Sequence, residues 1–242
     1  YLNNYYATKV LTECIKELKI SNLIFSSTAA VYEKKERKIK ENSKIFSKNS
    51  YGKSKINCEN LIKKLDQNTT KFCILRFFNV ASSIVKKKIG EIHNPETHLI
   101  PIIIHSILNK KKFKVYGNNY PTKDGTGIRD YIHVTDLASA HVLSLNLLFE
   151  DRTDNTMEVI NIGTGKGYSV LDVINAFEEY NSVEVPYVFS KRREGDAAVS
   201  YADVTRANKK LDWKAEKTIK HMVIDSWQWK KKMMNSNGLL KK

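Results

Sequence analysis

Segments of helical period alternate with short apolar runs along the first third of the chain. Residues 5–18 and 51–65 repeat apolar side chains at helical spacing, which predicts two helices with buried stripes. Residues 23–28 and 72–78 contain apolar runs of strand length, typical of strands covered on both faces in a parallel sheet. Helix, strand, helix, strand is the order of a doubly wound α/β fold. The predicted stripes are Val10, Leu11, Cys14, Ile15 and Leu18 in the first helix, and Cys58, Leu61, Ile62 and Leu65 in the second.

The pattern continues through the rest of the chain with longer polar connections. Ser169 and Asp172 form the capping pattern of one further helix. Residues 163–167 (GTGKG) differ from the dinucleotide spacing G-x-G-x-x-G, so we assign no phosphate site to them. The polar stretches expected as loops are 33–48, 80–98, 117–130 and 191–196. The other expected elements are helices at 99–108, 136–149, 204–211 and 219–231, and strands at 113–116, 159–162 and 185–189.

Composition indicates a globular protein with a buried core. The chain has 242 residues, of which 41% are hydrophobic, and no apolar run has the length needed to cross a bilayer. Its three cysteines, Cys14, Cys58 and Cys73, lie far apart in apolar patterns. We therefore expect buried free thiols in a reducing, cytoplasmic compartment. Neither the cysteines nor the scattered histidines show metal-ligand spacing, so we expect no metal site.

A net charge of +15 raises the question of a polyanionic partner. Lysine supplies 34 of the 41 basic residues, in short scattered runs without an aromatic–basic platform. A compositional bias toward lysine accounts for this charge, so we expect neither a nucleic-acid nor a membrane partner. A phosphorylated small substrate would also suit the charge.

A phenol and an ammonium lie one turn apart at the start of the second helix. Tyr51 and Lys55 are four residues apart and therefore share a helix face. A free tyrosine has a pKa of about 10, and a neighbouring positive charge favours its phenolate. Thr28 ends the preceding strand, at the edge where α/β sheets place their ligands. A hydroxyl, a phenol and an ammonium that converge there could take the proton of an alcohol as hydride leaves its carbon.

Five motifs give this set a wider context: residues 26–32 (SSTAAVY), 51–55 (YGKSK), 76–79 (RFFN), 121–134 (PTKDGTGIRDYIHV) and 192–196 (RREGD). The first three resemble the extended short-chain dehydrogenase/reductases. The last two narrow the resemblance to the UDP-glucose 4-epimerases, and it extends from about residue 4 to residue 229.

The resemblance implies a Rossmann-like α/β fold with a doubly wound parallel sheet and a smaller α+β domain. Residues 1–79 and 130–163 would form a partial NAD-binding domain. Residues 80–129 and 164–242 would form a UDP-sugar-binding domain.

The resemblance also implies an NAD-dependent interconversion of UDP-galactose and UDP-glucose at sugar C4. Tyr51 would be the base, Thr28 would hydrogen-bond the reacting oxygen, and Lys55 would lower the pKa of the phenol. The residues at the cofactor would be these three together with Asn4, Phe77 and Phe78. The UDP-sugar would be bound by Thr28, Asn79, His98, Leu99, Lys114, Tyr116, Arg129, Arg193, Asp196 and Ser200.

Further implications concern specificity, completeness and assembly. In relatives, a bulky residue at the position of Ser200 excludes N-acetylated sugars, so serine implies that UDP-GlcNAc and UDP-GalNAc are accepted. The family's glycine-rich strand–turn–helix, which binds the ADP half of NAD, does not occur in this sequence. We therefore expect an N-terminally truncated piece that is inactive alone. In relatives the helices matching 5–18 and 51–65 pack against their copies, which implies a homodimer.

Other functions were compared with this one. A nucleotide-sugar 4,6-dehydratase would need an acid pair after Thr28, where this chain has Ala29 and Ala30. A UDP-glucuronate epimerase or decarboxylase stays open, although residues 121–134 fit it poorly. A non-catalytic nucleotide-sugar-binding protein also stays open, although Thr28, Tyr51 and Lys55 argue for retained chemistry.

Overall fold

The structure is a computed structural model that describes residues 2–33, 38–150 and 156–239. The chain divides into two compact units. The first comprises Tyr1–Phe78, Leu137–Gly165 and Ala202–Lys214, and the second comprises Asn79–Asp136, Lys166–Tyr201 and Ala215–Lys242. The units differ from the boundaries expected from the sequence at residues 79 and 130–136, which lie in the second unit, and at 164–165 and 202–214, which lie in the first. No helix in the described ranges is long and apolar enough to cross a membrane.

Eleven strands and seven α-helices are assigned within the described ranges. The strands are β1 (Asn22–Thr28), β2 (Lys38–Ile39), β3 (Lys71–Phe77), β4 (Asn79–Ala81), β5 (Phe113–Tyr116), β6 (Ile128–Arg129), β7 (Tyr131–His133), β8 (Met157–Ile162), β9 (Tyr168–Ser169), β10 (Tyr187–Ser190) and β11 (Val199–Ala202). The helices are α1 (Ala7–Glu17), α2 (Ser50–Ile62), α3 (Leu99–Asn109), α4 (Val134–Phe149), α5 (Val170–Asn181), α6 (Thr205–Leu211) and α7 (Ile219–Leu239).

A three-stranded parallel sheet in the order β1-β3-β8 is the centre of the first unit. Its middle strand is a continuous apolar run whose Phe72, Ile74 and Leu75 are fully buried. Burial of both faces explains why this strand is continuously hydrophobic. The registers place Thr28 opposite Phe77, so both strands end at the same edge. The predicted Rossmann-like α/β fold is confirmed.

The buried face of α1 differs from the predicted stripe. Ile15 is buried, as expected, but its buried neighbours are Thr8 and Thr12. The predicted stripe residues Val10, Leu11, Cys14 and Leu18 are exposed. Periodicity identifies an apolar stripe correctly, but it does not say what covers that stripe. The expectation of a buried thiol was therefore wrong for Cys14 and is confirmed for Cys58 and Cys73.

Helices α3, α5 and α7 surround the hydrophobic core of the second unit. Ile103, Phe177 and Met222 come from the three helices and are fully buried in one cluster. Helix α5 begins with the predicted capping box, in which Ser169 and Asp172 satisfy each other's backbone N–H groups. Short strand pairs lie beside this core: β5 with β10, β4 with β7 and β6 with β11 are parallel, and β6 with β9 is antiparallel.

Three of the predicted loops contain regular structure. The stretch 80–98 begins within β4 and includes a 3-10 turn at Val85–Lys87, and 117–130 contains β6. The stretch 33–48 contains β2, and its residues 34–37 lie outside the described ranges. These strands have only two or three residues, too few for an alternating pattern to predict.

Candidate active site

The start of α2 is fixed by a cap and by a close backbone approach. The Asn49 side chain accepts a hydrogen bond of 2.6 Å from the Gly52 N–H and caps the helix. A Cβ at Gly52 would lie 2.1 Å from Ser47 Oγ and 2.5 Å from the Ala30 carbonyl oxygen. Only glycine therefore permits this packing, which brings the first turn of α2 against the segment that follows β1. Tyr51, the residue that precedes Gly52, therefore lies at the carboxyl end of β1.

Thr28 and Tyr51 meet at that end of the sheet. The Thr28 side chain lies close enough to the Tyr51 phenol to affect its pKa, and the Thr28 oxygen accepts a hydrogen bond of 3.2 Å from the Ala30 N–H. Burial raises the pKa of Tyr51 above its ordinary value, and the Thr28 side chain opposes this rise. In this structure Tyr51 is therefore a neutral phenol near pH 7. The predicted convergence of the hydroxyl and the phenol is observed.

Lys55 makes contacts with β1 in this structure, and its expected effect on the pKa of Tyr51 stays a prediction. The Lys55 ammonium donates a hydrogen bond of 2.9 Å to the Ser26 carbonyl oxygen and lies 4.9 Å from the centre of the Phe25 ring. Burial lowers the pKa of Lys55, and the thiol of Cys58 and the carboxylate of Glu59 oppose that change. The causes that shift the pKa of Tyr51 are burial and the Thr28 side chain.

A buried ion pair behind these residues joins α2 to the two strands. Glu59 lies two turns after Tyr51 and accepts hydrogen bonds from Arg76 of 2.6 and 2.9 Å. The Ser27 hydroxyl donates a further hydrogen bond of 2.6 Å to the same carboxylate. Burial of Glu59 would raise its pKa, but the hydrogen bonds and charge of Arg76 outweigh burial and lower it. Glu59 is therefore charged, and it ties the last turns of α2 to the residue that precedes Thr28.

The network extends from Arg76 into the core. Arg76 also donates to the Tyr32 hydroxyl at 3.0 Å, and that hydroxyl donates to Asn161 Oδ1 at 2.6 Å. Burial raises the pKa of Tyr32 to about 12, although the Arg76 charge opposes the rise. Tyr32 and Arg76 lie in the motifs at 26–32 and 76–79, but no role was predicted for either residue. The only indication of this network in the sequence was Glu59, because a carboxylate on the apolar face of a helix needs a buried partner.

The remaining predicted cofactor residues lie in three different environments of the first unit. Asn4 donates a hydrogen bond of 3.0 Å to Ser54 Oγ on α2. Phe77 is half-buried, with its ring centre 6.2 Å from that of His141. Phe78 is buried among core residues with Val31, so its side chain is not presented to a ligand.

In the second unit, a basic and an acidic residue of the predicted substrate set lie side by side. Arg129 on β6 and Asp196 form an ion pair of 3.9 Å, and both are partly exposed. The register of β6 and β11 pairs Arg129 with Ser200. Asp130 donates its backbone N–H to the Ser200 carbonyl oxygen and accepts one from the Asn79 N–H. Four of the predicted substrate residues are therefore linked through one ion pair and the backbone of neighbouring strands.

The loop 191–196 adds a second arginine. The Arg193 guanidinium carbon lies 3.9 Å from the centre of the Tyr116 ring, a stacking arrangement. The Asp196 N–H donates to the Arg193 carbonyl oxygen at 3.3 Å in the turn between them. One turn thus brings Arg193 to β5 and Asp196 to Arg129. The guanidinium groups of Arg129 and Arg193 are suited to binding a diphosphate, and the Tyr116 ring is suited to contact with a planar base.

His98, Leu99 and Lys114 are placed by other contacts. His98 precedes α3, and its Nδ1 contacts the Glu91 carboxylate, which raises the pKa of the imidazole. Leu99 is partly buried against the core of the second unit. Lys114 is exposed on β5, two residues before Tyr116.

Comparison with known proteins identifies the family. Residues 1–163 match the model of the NAD dependent epimerase/dehydratase family. The chain belongs to this family. The UDP-glucose 4-epimerase of Bacillus subtilis (strain 168), a relative, is 38% identical over 240 residues, which cover 97% of this chain and 70% of that protein.

Solved structures of UDP-glucose 4-epimerases share the fold of this family member. The enzyme from Stenotrophomonas maltophila, with bound NAD and formylated UDP-arabinopyranose, superposes with a TM-score of 0.91 at 35% identity. It covers 97% of this chain, and the match spans 70% of that chain. The enzyme from Bifidobacterium longum, in complex with NAD+ and UDP, has a TM-score of 0.86 at 39% identity, with coverages of 97% and 71%.

Proposed function

We propose that this protein interconverts UDP-galactose and UDP-glucose by transient oxidation at sugar C4. The observation that carries the proposal is the contact between Thr28 and Tyr51 at the carboxyl end of β1. The first unit contains this proton-transfer pair, and the second unit, taken by itself, contains cationic and aromatic groups suited to a nucleotide. The relatives named UDP-glucose 4-epimerase over nearly the whole chain support the same reaction.

Tyr51 is the group that moves the proton. As a phenolate it accepts the proton of the sugar 4-hydroxyl at Oη, while Thr28 hydrogen-bonds the same oxygen. When the 4-keto sugar is reduced on its other face, Tyr51 returns that proton. Acid–base catalysis of this kind contributes about 10²–10⁴-fold to a rate. Because Tyr51 is a neutral phenol in the structure, the phenolate must form when the site is loaded.

The chain's residues fit the nicotinamide-ribose half of NAD. Lys55 and Tyr51 are both partly exposed beside the end of β1, and they offer an ammonium and a phenol to ribose hydroxyls. Asn4 and Phe77 would complete this site, and Phe78 would contribute through its backbone because its side chain is in the core. When bound, NAD+ supplies the acceptor for the hydride from C4.

We further propose that the arginine pair of the second unit holds the diphosphate. Arg129 and Arg193 are each paired with a neighbour that keeps the guanidinium in place, Asp196 and Tyr116 respectively. An oriented guanidinium loses little side-chain entropy on binding a phosphate. Asn79, His98, Leu99 and Lys114 would contact the remainder of the UDP moiety.

Specificity for the sugar is proposed to depend on Ser200. Its half-buried side chain on β11 is small and fills less volume than a bulky residue at this position would. N-acetylated UDP-sugars should therefore be accepted as well. The dehydratase alternative gains no support, because the residues after Thr28 are Ala29 and Ala30 rather than acids.

We propose that the protein is a cytoplasmic homodimer. Leu11, Val10 and Leu18 form an exposed apolar face on α1, with exposures of 45%, 57% and 70%. Packing of α1 and α2 against a second copy would remove that surface from water. Two of the three thiols are buried and free, which suits a reducing compartment.

Conversion of UDP-galactose to UDP-glucose by this chain joined to the family's N-terminal NAD-binding segment is the direct test, because the chain alone is predicted to be inactive. We expect NAD-dependent turnover that is lost in Tyr51→Phe. Production of a 4,6-dehydrated or decarboxylated sugar nucleotide instead would refute the proposal and support one of the alternatives.

A further inference from the structure

Two histidines and two glutamates converge just before α3. The segment carries the spacing E-x-H-x-x-E-x-H at Glu91, His93, Glu96 and His98. One ligand-capable atom from each of the four residues lies within 4.8 Å of the others. No metal site was expected from the sequence, because its histidines are scattered.

The two imidazoles present the same nitrogen to the same oxygen. His93 Nδ1 lies 2.9 Å from Glu91 Oε1, and His98 Nδ1 contacts that oxygen too. The rings meet edge to face with their centres 5.3 Å apart. Glu96 lies 3.9 Å from His93 Nδ1, and its carboxylate also accepts the backbone N–H groups of Thr97 and His98. Both nitrogens and both carboxylates therefore point at one small volume.

A small cavity with a mixed polar and apolar lining lies against this volume. It measures about 60 Å³, and the polar side chains that line it include Glu91, His93, Glu96, Ser82, His105 and Lys230. The Ser82 hydroxyl is buried and has no hydrogen-bond partner among the described residues. Such a cavity has room for a water molecule, which occupies about 30 Å³ in the liquid. It could therefore hold a water bound to an ion.

We propose that Glu91, His93, Glu96 and His98 bind a divalent transition-metal ion such as Zn²⁺. Two imidazoles and two carboxylates are a ligand set that suits zinc. In a tetrahedral site with bonds of about 2.0–2.1 Å, ligand atoms lie about 3.3 Å apart, so small side-chain rotations would complete it. Two carboxylates would neutralise the charge of the ion.

The metal would fix the segment that leads into α3. His98 and Leu99 belong to the proposed nucleotide site, and a ligand bond at Nδ1 would leave the Nε2 of His98 available. Metal binding itself does not depend on the proposed epimerase activity, so the two proposals can fail separately.

Isothermal titration of chelator-treated protein with ZnCl₂ tests the proposal. Because Cys14 is exposed and could bind zinc, the parent for all variants is Cys14→Ser. We expect one Zn²⁺ per chain, with a Kd of about 10 µM or lower. His93→Ala should weaken binding about tenfold or more, and Glu96→Gln should weaken it while still accepting the backbone N–H groups.

His105→Ala is the matched control, because it removes an exposed histidine beside the same cavity but outside the four ligands. Its affinity for Zn²⁺ should equal that of the parent. Co²⁺ should give the visible absorption of a tetrahedral site in the parent and not in His93→Ala. Binding that is absent in the parent, unchanged in His93→Ala, or lost equally in His105→Ala would overturn the proposal.

Discussion

Replacing Glu59 with glutamine tests whether the buried ion pair holds the proton-transfer residues in register. The Glu59 and Arg76 side chains are only 2% and 3% exposed, and they share two charge-assisted hydrogen bonds. Glutamine keeps the shape but leaves the Arg76 charge buried without a counter-ion. Removal of one partner of a buried pair costs about 3–5 kcal/mol in free energy of unfolding. Since each kcal/mol shifts the midpoint of thermal unfolding by about 2–4 °C, that midpoint should fall by about 6–20 °C.

Thermal and urea unfolding of the parent and Glu59→Gln measure this loss. Glu13→Gln, which changes an exposed carboxylate on α1, is the matched control and should stay within about 0.5 kcal/mol. The double variant Glu59→Met/Arg76→Met should recover much of the stability, because it leaves no buried charge. A loss below about 1 kcal/mol in Glu59→Gln would show that the pair is not a structural link, and would refute the reasoning.

Glu59→Gln should also change how the stability of the protein depends on pH. Because the folded-state pKa of Glu59 is lowered, its stabilising contribution is complete above the ordinary pKa of about 4.3. That contribution is lost as the pH falls through the lower folded-state value. The difference in free energy of unfolding between the parent and Glu59→Gln should be constant from about pH 5 to about pH 8. It should shrink below about pH 4. A pH-independent difference would assign the loss to packing rather than charge.

Three further predictions concern individual residues of the proposed site. Thr28→Val should raise the pKa of Tyr51 further, because it removes the hydroxyl that opposes the rise; NMR titration of ¹³Cζ-labelled tyrosine measures this, and an unchanged titration would count against the contact. Arg193→Ala should weaken UDP binding about tenfold or more by calorimetry, whereas Arg192→Ala, which stacks on a different ring, should not. Ser200→Tyr should lose turnover of UDP-GalNAc and keep that of UDP-galactose; retained N-acetyl activity would contradict the specificity proposal.

Elements with a strong local signal were predictable from the sequence. The run of apolar residues in β3 and the helix of α3, with Pro101 in its first turn, lie close to where periodicity put them. The strand β5 has the predicted bounds. These elements depend on burial of their own side chains, which the order of apolar residues records directly.

Features that depend on distant partners were not predictable. The network of Ser27, Glu59 and Arg76 joins three separate segments, and no local pattern relates them. Lys55 was expected beside Tyr51, but the Ser26 carbonyl oxygen competes for its ammonium. Periodicity likewise could not show that the apolar side of α1 is exposed, because it records the spacing of apolar residues and not what packs against them.

Turnover of UDP-galactose by Tyr51→Phe, made in the chain joined to the family's N-terminal NAD-binding segment, tests the central claim most directly. The variant removes only the hydroxyl that exchanges a proton with the sugar. We predict that the rate falls by about 10²–10⁴-fold while the Kd for UDP, measured by calorimetry, stays within about threefold of the parent. Near-normal turnover in a variant that binds UDP normally would contradict the role of Tyr51 and the mechanism built on it.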